Sequence, residues 1–241
     1  MSKDLKSLTF LGASVFPEIS QIVRDINQKK MTYEMTGILD DNADLCGTKI
    51  EGVPVLGPLE MAKDMDSVQF VMGIGAYKSR LVRYEIIKRL GIPPERYATL
   101  IHPFAQIYDT ATIGHGCIIC AGVVVHNNCT VENFVKVLAN SIVGANNTIC
   151  EGVMITSLVS LTVDVVVGHY AHLGTMSAIG ERVRIGPGAQ VAMGSLVLKD
   201  VSPGAFVIGS PARAINKVEV PQELMDRWDA LMGKDKAGVQ N

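Results

Sequence analysis

The 241-residue sequence lacks the features that would assign it to a membrane or to nucleic acid. No run of about 18 apolar residues occurs, so no membrane-spanning helix is expected. Residues 1–6 are polar and no signal-peptide pattern follows them, which predicts a cytoplasmic location. The 22 basic and 24 acidic side chains give a net charge of −2. This charge offers no general attraction to nucleic acid or to anionic membranes, so neither is expected as a partner.

Cysteine is also scarce. The five cysteines are odd in number and unevenly spread, which argues against a secreted disulfide framework and favours reduced thiols. Cys117 and Cys120 form a C-x-x-C pair, for which a redox or half-zinc motif is one interpretation. No second pair and no nearby histidine completes a four-ligand zinc set, so we expect no metal site.

The first 100 residues alternate between strands and helices. Strands are predicted at Leu8–Leu11, Tyr33–Leu39 and Val68–Met72. Apolar residues at helical spacing follow the first and third of these strands: Ile19, Ile22, Val23 and Ile26, then Val82, Ile86 and Leu90. Strands that alternate with helices and end in glycine-bearing turns predict a small, open, parallel α/β sheet, with ligands at the carboxyl ends of its strands.

From His102 to Val197 the sequence repeats every six residues. Sixteen successive hexads carry an aliphatic residue at the sixth position, and the fourth position is small or β-branched except at Asn147. This period predicts a parallel β-helix in which three hexads form one coil. The fourth and sixth positions point inward, so Cys117 is interpreted as a core residue. Beyond the repeat, Pro221–Met232 predicts a short capping helix with an apolar face: Leu224, Trp228, Leu231 and Met232.

Six motifs link the two parts of the chain to a known family: Gly12-Ala13-Ser14, Leu39-Asp40-Asp41, Gly52-Val53-Pro54-Val55-Leu56-Gly57, Ile101-His102-Pro103, Val201-Ser202-Pro203-Gly204 and Gly209-Ser210-Pro211-Ala212-Arg213. Over residues 7–215 the sequence resembles the two-domain sialic acid and amino-sugar O- or N-acetyltransferases. The resemblance implies a Rossmann-like nucleotide-sugar-binding domain at 1–100, a left-handed β-helix at 101–215 that binds acyl-CoA, and a C-terminal helix and tail at 216–241.

The resemblance also implies a homotrimer, with acetyl-CoA or another acyl-CoA bound between neighbouring β-helices. Its acceptor is a nucleotide-linked amino sugar, and matching positions assign its binding to Gly12, Ser14, Asp40, Asp41 and Gly75. Matching positions for acyl-CoA are Gly174, Thr175, Met193, Gly194, Pro211 and Arg213, with the Val163 N–H stabilising the thioester oxyanion. The structural alternatives are turn formation by the aspartates and β-helix corners for the glycines.

The sequence departs from this family at the expected catalytic histidine, whose position is Ala145. His126 lies 18 residues before Gly144, and so one coil away beside Ala145, and is the candidate replacement base. Asn146 and Asp164 are further catalytic candidates, because they belong to a column of residues 18 apart: Asn128, Asn146, Asp164 and Arg182. A carboxylate there could hold an ammonium group or orient a hydroxyl.

An amine acceptor with a pKa of about 8 is partly neutral near neutral pH, so the missing histidine favours N- over O-acylation. The sequence therefore predicts an acyl-CoA-dependent N-acyltransferase, in which acetyl is the expected group, for surface-polysaccharide or glycan synthesis. Two alternatives stay open: a non-catalytic trimeric binding or scaffold protein, and an O-acetyltransferase that uses His126.

Overall fold

The computed structural model describes residues 5–74 and 80–238. Contacts divide the chain into two compact units. One comprises the residues up to 105 together with 114–121, and the other comprises 106–113 and the residues from 122 onward. The domain limits 1–100, 101–215 and 216–241 stay a prediction.

The first unit is built on a five-stranded sheet in the order β3-β4-β2-β1-β5. Its strands are β1 (Lys6–Leu11), β2 (Tyr33–Leu39), β3 (Lys49–Ile50), β4 (Val53–Gly57) and β5 (Gln69–Met72). Its helices are α1 (Phe16–Lys29) and α2 (Arg80–Leu90), with short 3-10 turns at Ala43–Leu45, Leu59–Asp64 and Pro94–Arg96. All strand pairs are parallel except β3 with β4, so the predicted α/β class is confirmed.

Helix α1 covers the sheet because its apolar residues share one face. Ile19 and Val23 are fully buried, and Phe16 meets Phe10 of β1 edge to face, with 4.8 Å between ring centroids. Pro17 occupies the first turn, where a missing N–H costs nothing. The strands and helices predicted here from periodicity are therefore present.

The β-helix consists of two-residue strands separated by corners. In the first unit, β6 (Leu100–Ile101) pairs with β9 (Ile118–Ile119). The second unit contains β7 (Gln106–Ile107), β8 (Thr112–Ile113), β10 (Val124–Val125), β11 (Thr130–Val131), β12 (Lys136–Val137), β13 (Ile142–Val143), β14 (Thr148–Ile149), β15 (Met154–Ile155), β16 (Ser160–Leu161), β17 (Val166–Val167), β18 (His172–Leu173), β19 (Ala178–Ile179), β20 (Arg184–Ile185), β21 (Gln190–Val191), β22 (Leu196–Val197), β23 (Ala205–Gly209) and β24 (Ala212–Lys217).

Three sheets run along the second unit. The first is β22-β19-β16-β13-β10-β7, the second is β20-β17-β14-β11-β8, and the third runs β24-β23-β21-β18-β15-β12. Successive strands pair in parallel 18 residues apart, as Val124 does with Ile142 and Ile142 with Ser160. The predicted coil of three hexads is confirmed. An antiparallel hairpin, β23 with β24, ends the third sheet.

The interior follows the repeat. Sixth-position residues from Val125 to Val197 are at most 2% exposed, and fourth-position residues from Val123 to Ser195 at most 3%. Between the sheets lie three edges. Edge A follows the first sheet (108–111, 126–129, 144–147, 162–165, 180–183), edge B follows the second (132–135, 150–153, 168–171, 186–189), and edge C follows the third (138–141, 156–159, 174–177, 192–195).

Helix α3 (Gln222–Gly238) packs against the side of the β-helix. Trp228 joins Cys150 and Val166 in one apolar cluster, against which Leu231 and Met232 also pack. The apolar face of the predicted helix is confirmed, but its capping position is wrong, because Trp228 finds its apolar partners on the middle coils. Among the described residues, no helix has both the length and the apolar character needed to cross a membrane.

Candidate functional site

The carboxyl ends of β1 and β5 form a topological switch point, because β2 and β4 lie on the opposite side of β1 from β5. Ligands of open parallel sheets bind at such points. Gly12 follows β1 with a φ of +98°, and the Gly73 N–H donates to the Leu11 carbonyl at 2.8 Å. A Cβ at Gly73 would lie 2.5 Å from the Gly12 oxygen. The two turns therefore pack backbone against backbone.

Asp40 connects the turns after β1 and β2. One carboxylate oxygen accepts the Ala13 N–H at 2.7 Å, and the other accepts the Asn42 N–H at 2.9 Å. Ser14 is exposed beside this link. Gly12, Ser14 and Asp40, expected to bind substrate, thus lie at one end of the sheet. Gly75 lies outside the described residues.

Asp41 is engaged differently. Its carboxylate accepts the Leu59 N–H at 3.0 Å and the Arg89 guanidinium at 2.9 Å. Partial burial opposes ionisation, but the hydrogen bonds from Leu59 and Arg89 outweigh it and lower the pKa of Asp41. These contacts fasten the 59–64 turn and α2 to the end of β2, which favours the structural alternative for Asp41.

His126 lies on edge A, where its ring stacks on Tyr108 with 4.8 Å between centroids and 23° between planes. Its backbone N–H donates to the Val143 carbonyl, next to Gly144 and Ala145. A Cβ at Gly144 would lie 2.2 Å from the Thr162 oxygen. Tyr108, His126 and Gly144 are each 18 residues apart and form one column on this edge. The imidazole of His126 therefore stacks on Tyr108 on one side and faces a residue without a side chain, Gly144, on the other.

The predicted column of residues 18 apart is present on the same edge. Asn128 donates to Asn146 at 3.2 Å, and Asn146 donates to Asp164 at 3.1 Å. All three have φ values near the left-handed region, from +57° to +60°. Asn and Asp tolerate this conformation better than most residues, so the ladder has a structural reason of its own. Val163 precedes Asp164 on the same corner and is 38% exposed.

Four of the residues expected to bind acyl-CoA meet on edge C. The Gly194 N–H donates to the Thr175 carbonyl at 2.8 Å, and a Cβ at Gly174 would lie 2.5 Å from the Met193 nitrogen. Met193 is 75% exposed, and the space beside Gly194 is open. The corner is thus narrow and accessible, so a linear ligand could approach its backbone.

The remaining two, Pro211 and Arg213, belong to the hairpin of β23 and β24. A cavity of about 300 Å³ opens between this hairpin and the last coil. It is lined by Val197, Lys199, Asp200, Val201, Ser202, Ala205, Val207, Ala212, Arg213 and Ala214. The charged residues of this lining are two cations, Lys199 and Arg213, and one carboxylate, Asp200. This excess of positive charge favours binding of an anionic group.

Edge B carries a group that the sequence did not predict. One donor atom from each of Glu132, Cys150 and His169 lies within 4.8 Å of the other two. Burial, and then the charge of Arg227, lower the pKa of His169 to about 4, so its imidazole is neutral near pH 7. Glu132 and Cys150 are one coil apart, and His169 follows 19 residues later. That spacing was the available signal. Cys117 of the C-x-x-C pair is instead fully buried.

Comparisons with known proteins match both parts of the chain. A family model described as the PglD N-terminal domain matches residues 8–89, and one described as bacterial transferase hexapeptide (six repeats) matches residues 98–127. The order of these two matches confirms the resemblance to the two-domain amino-sugar acetyltransferases.

Curated relatives resemble parts of the chain. Serine acetyltransferase 2 of Arabidopsis thaliana is 35% identical over 49% of this chain and 32% of its own length. UDP-3-O-acylglucosamine N-acyltransferase of Methylorubrum extorquens is 31% identical over 60% of this chain and 39% of its own length. The chain thus spans less than half the length of these relatives.

Solved structures share the fold over most of the chain. The acetyltransferase domain of PglB from Neisseria gonorrhoeae, in complex with acetyl coenzyme A, has a TM-score of 0.76 at 22% identity and covers 88% of this chain and 100% of its own. PerB from Caulobacter crescentus, in complex with CoA and GDP-perosamine, has a TM-score of 0.73 at 21% identity, with 90% and 100% covered. These likenesses establish the architecture.

Proposed function

We propose that this chain, which joins a PglD-type N-terminal domain to a hexapeptide-repeat β-helix, is an acyl-CoA-dependent N-acyltransferase that acetylates a nucleotide-linked amino sugar. The observation that carries the proposal is the pairing of two sites of different chemistry in one chain. A switch point with a glycine turn lies in the first unit, and a corner that is open beside Gly194 lies on edge C of the second.

Edge C and the hairpin support a role in acyl-CoA binding. The space beside Gly194 is open and this residue carries no side chain, so a pantetheine arm can approach the backbone closely there. The exposed side chain of Met193 offers apolar contact, and Arg213 beside Lys199 offers charge to phosphates. The PglB domain and PerB, which share this fold, were solved with acetyl coenzyme A and CoA respectively.

The switch point supports a role in acceptor binding. Gly12 and Ser14 would approach the nucleotide phosphates or sugar, and Asp40 keeps lone pairs for a ribose hydroxyl or a base N–H after accepting its two backbone hydrogen bonds. PerB was solved with GDP-perosamine, a nucleotide-linked amino sugar. Surface-polysaccharide or glycan synthesis is the corresponding biological setting.

The proposed reaction is attack by a neutral amine on the thioester carbonyl. The amine nitrogen forms the new C–N bond, the Val163 N–H stabilises the oxyanion of the tetrahedral intermediate, and the C–S bond then breaks. The nitrogen loses one proton, and CoA leaves as its thiol. Ala145 supplies no base, so positioning carries most of the acceleration. Asn146 and Asp164 would orient the ammonium group before it deprotonates.

The positions of these residues support a homotrimer. His126, Asn146, Val163 and Asp164 are on edge A, whereas Gly174, Thr175, Met193 and Gly194 are on edge C. Two different edges of one β-helix cannot face the same groove. Edge A of one copy and edge C of the next can, which supports a shared site in a closed ring of three.

The test is a thiol-release assay with acetyl-CoA and a panel of UDP-, GDP- and dTDP-linked amino sugars. We expect release with at least one amino sugar and none with the matching sugar that carries a hydroxyl in place of the amine. Release with the hydroxyl sugar would instead favour O-acetylation through His126, whose ring is already held by Tyr108. No thiol release, together with no thermal shift from millimolar acetyl-CoA, would favour the scaffold alternative.

A further inference from the structure

Edge B brings three side chains of different donor type to one point. Glu132 Oε2 and His169 Nδ1 are 3.8 Å apart, and the Cys150 Sγ lies within 4.8 Å of the group. The coil spacing places them there, because Glu132 and Cys150 occupy the first position of hexads in consecutive coils and His169 takes the second position in the next.

The His169 side chain provides an independent indication of a ligand. The residue is 4% exposed, and its Nδ1 has no hydrogen-bond partner within the part of the chain that the structure describes. The 3.8 Å to the Glu132 oxygen is too long for a hydrogen bond. A buried polar atom without a partner is costly, so such an atom calls for an explanation such as a bound ion.

We propose that Glu132, Cys150 and His169 bind one divalent metal ion of the zinc type. A thiolate, an imidazole and a carboxylate are the three ligand types that Zn²⁺ takes in proteins. Ligand atoms around tetrahedral zinc lie about 3.3–3.6 Å apart, so the separations here need side-chain shifts of about 1 Å. The fourth position would be open to water.

The surroundings suit such an ion. The carboxylate of Glu132 accepts the Glu151 N–H at 2.8 Å, and this hydrogen bond orients it. Its side chain is 34% exposed, whereas that of His169 is 5% exposed, so solvent reaches the group from the Glu132 side. Zn²⁺ with one thiolate and one carboxylate is neutral overall. Nearby Arg227 is already paired with Glu151 at 3.2 Å.

The competing explanation is that Cys150 is only a packing residue. It is fully buried, and it contacts Trp228 of α3 and Val166. Packing accounts for the thiol, yet it does not account for the unpartnered imidazole nitrogen or for the carboxylate beside it. The two explanations differ in whether the purified chain takes up metal through a thiolate.

The decisive experiment titrates Co²⁺, a spectroscopic substitute for Zn²⁺, into the full chain after removal of metal with a chelator. We expect one Co²⁺ per chain and a thiolate-to-cobalt charge-transfer absorption in the near ultraviolet, displaced by stoichiometric Zn²⁺. This measurement uses the wild-type chain. If Co²⁺ produces no thiolate absorption, the proposal is wrong.

Variants identify the ligands by calorimetric titration of Zn²⁺. Loss of a residue that only hydrogen-bonds to a metal ligand already lowers metal affinity by about 10–100-fold. Loss of a ligand itself should cost at least as much, so Cys150→Ala, His169→Gln and Glu132→Gln should each weaken binding by at least about tenfold. Cys129→Ala is the matched control, since this buried thiol lies inside the β-helix and its Sγ donates to the Gly144 carbonyl. Glu132→Gln alters the most exposed ligand and should fold. Unchanged affinity in Glu132→Gln and Cys150→Ala would mean adventitious binding elsewhere.

Discussion

At the scale of single residues, Asn147 is the fourth-position residue that breaks the small or β-branched pattern, yet it is fully buried. Its amide donates to the Thr162 carbonyl at 3.0 Å and accepts the Val165 N–H at 2.7 Å. Ser141 makes the same pair of contacts with Thr156 and Val159. The sequence marked Asn147 as an exception, but only the interior shows that its side chain binds the backbone of the next coil.

Asn147→Val tests this role. The change supplies the usual apolar filler but leaves a buried carbonyl and a buried N–H without partners, which should destabilise the chain by about 1–3 kcal/mol. Urea unfolding would measure the loss. Ser177→Ala is the control, because the Ser177 hydroxyl is buried and has no hydrogen-bond partner among the described residues, so its removal should cost little. Equal stability of Asn147→Val and the wild type would contradict the explanation.

His126 is the residue on which the proposed chemistry can be tested. If the amine attacks without a base, His126→Ala should lower the rate by less than the roughly 10²-fold typical of losing a general base, and kcat/KM should rise with pH as the amine deprotonates. His126→Phe keeps a ring on Tyr108 and separates stacking from proton transfer. Ala145→His should add an inflection near about pH 6.5.

The opposite result would also be informative. Activity abolished in both His126→Ala and His126→Phe, with Asp164→Ala nearly normal, would show that the base has moved by one coil. Activity lost in His126→Ala and kept in His126→Phe would assign the ring a packing role. The pH–rate profiles of the variants beside the wild type distinguish these cases.

At the scale of elements, the spacing of apolar residues predicted the helices and strands that bury one regular face. Strand β2 has its predicted bounds, and α1 begins where Pro17 indicated. Strand β4 was not predicted, and Pro54 and the flanking glycines are residues that are uncommon inside a strand. In the structure Val53 and Val55 are buried while Leu56 is exposed, an alternation typical of a strand. Its place between β3 and β2 depends on tertiary packing, which a local pattern does not contain.

The candidate site residues likewise include some that the sequence predicted and some that it did not. The 18-residue columns placed Asn146 beside Asp164 correctly, since the coil length fixes their register. The Glu132, Cys150 and His169 group was missed because its members are not periodic in residue type. The position of α3 was missed because an amphipathic helix specifies a face but not its partner.

The β23–β24 hairpin carries its own prediction. Arg213→Ala should weaken CoA binding by about tenfold, or about 1.4 kcal/mol, through lost contacts to phosphate. Lys217→Ala is the matched control, because Lys217 is an exposed cation on the same strand and does not belong to the residues that line the cavity. Calorimetric titration with CoA measures both variants. A similar loss in the two would indicate general charge rather than a specific phosphate contact.

At the scale of the whole molecule, edge C presents an apolar strip in addition to its glycines. Leu158, Met176 and Met193 are 52%, 66% and 75% exposed. Contiguous apolar side chains on a regular edge are typical of a surface that another protein covers. The proposed trimer supplies that cover, since edge A of the next copy would lie against the strip.

The trimer can be tested by mass and by disruption. Light scattering should report about three times 25.9 kDa at micromolar concentration. Met176→Glu places a charge in the proposed interface and should lower both the mass and the affinity for CoA, because the groove needs both edges. Met31→Glu is the control, since Met31 is 57% exposed on the first unit and lies outside the β-helix. A wild-type monomer that binds CoA with full affinity would refute both the trimer and the shared groove, because one chain would then suffice to build the site.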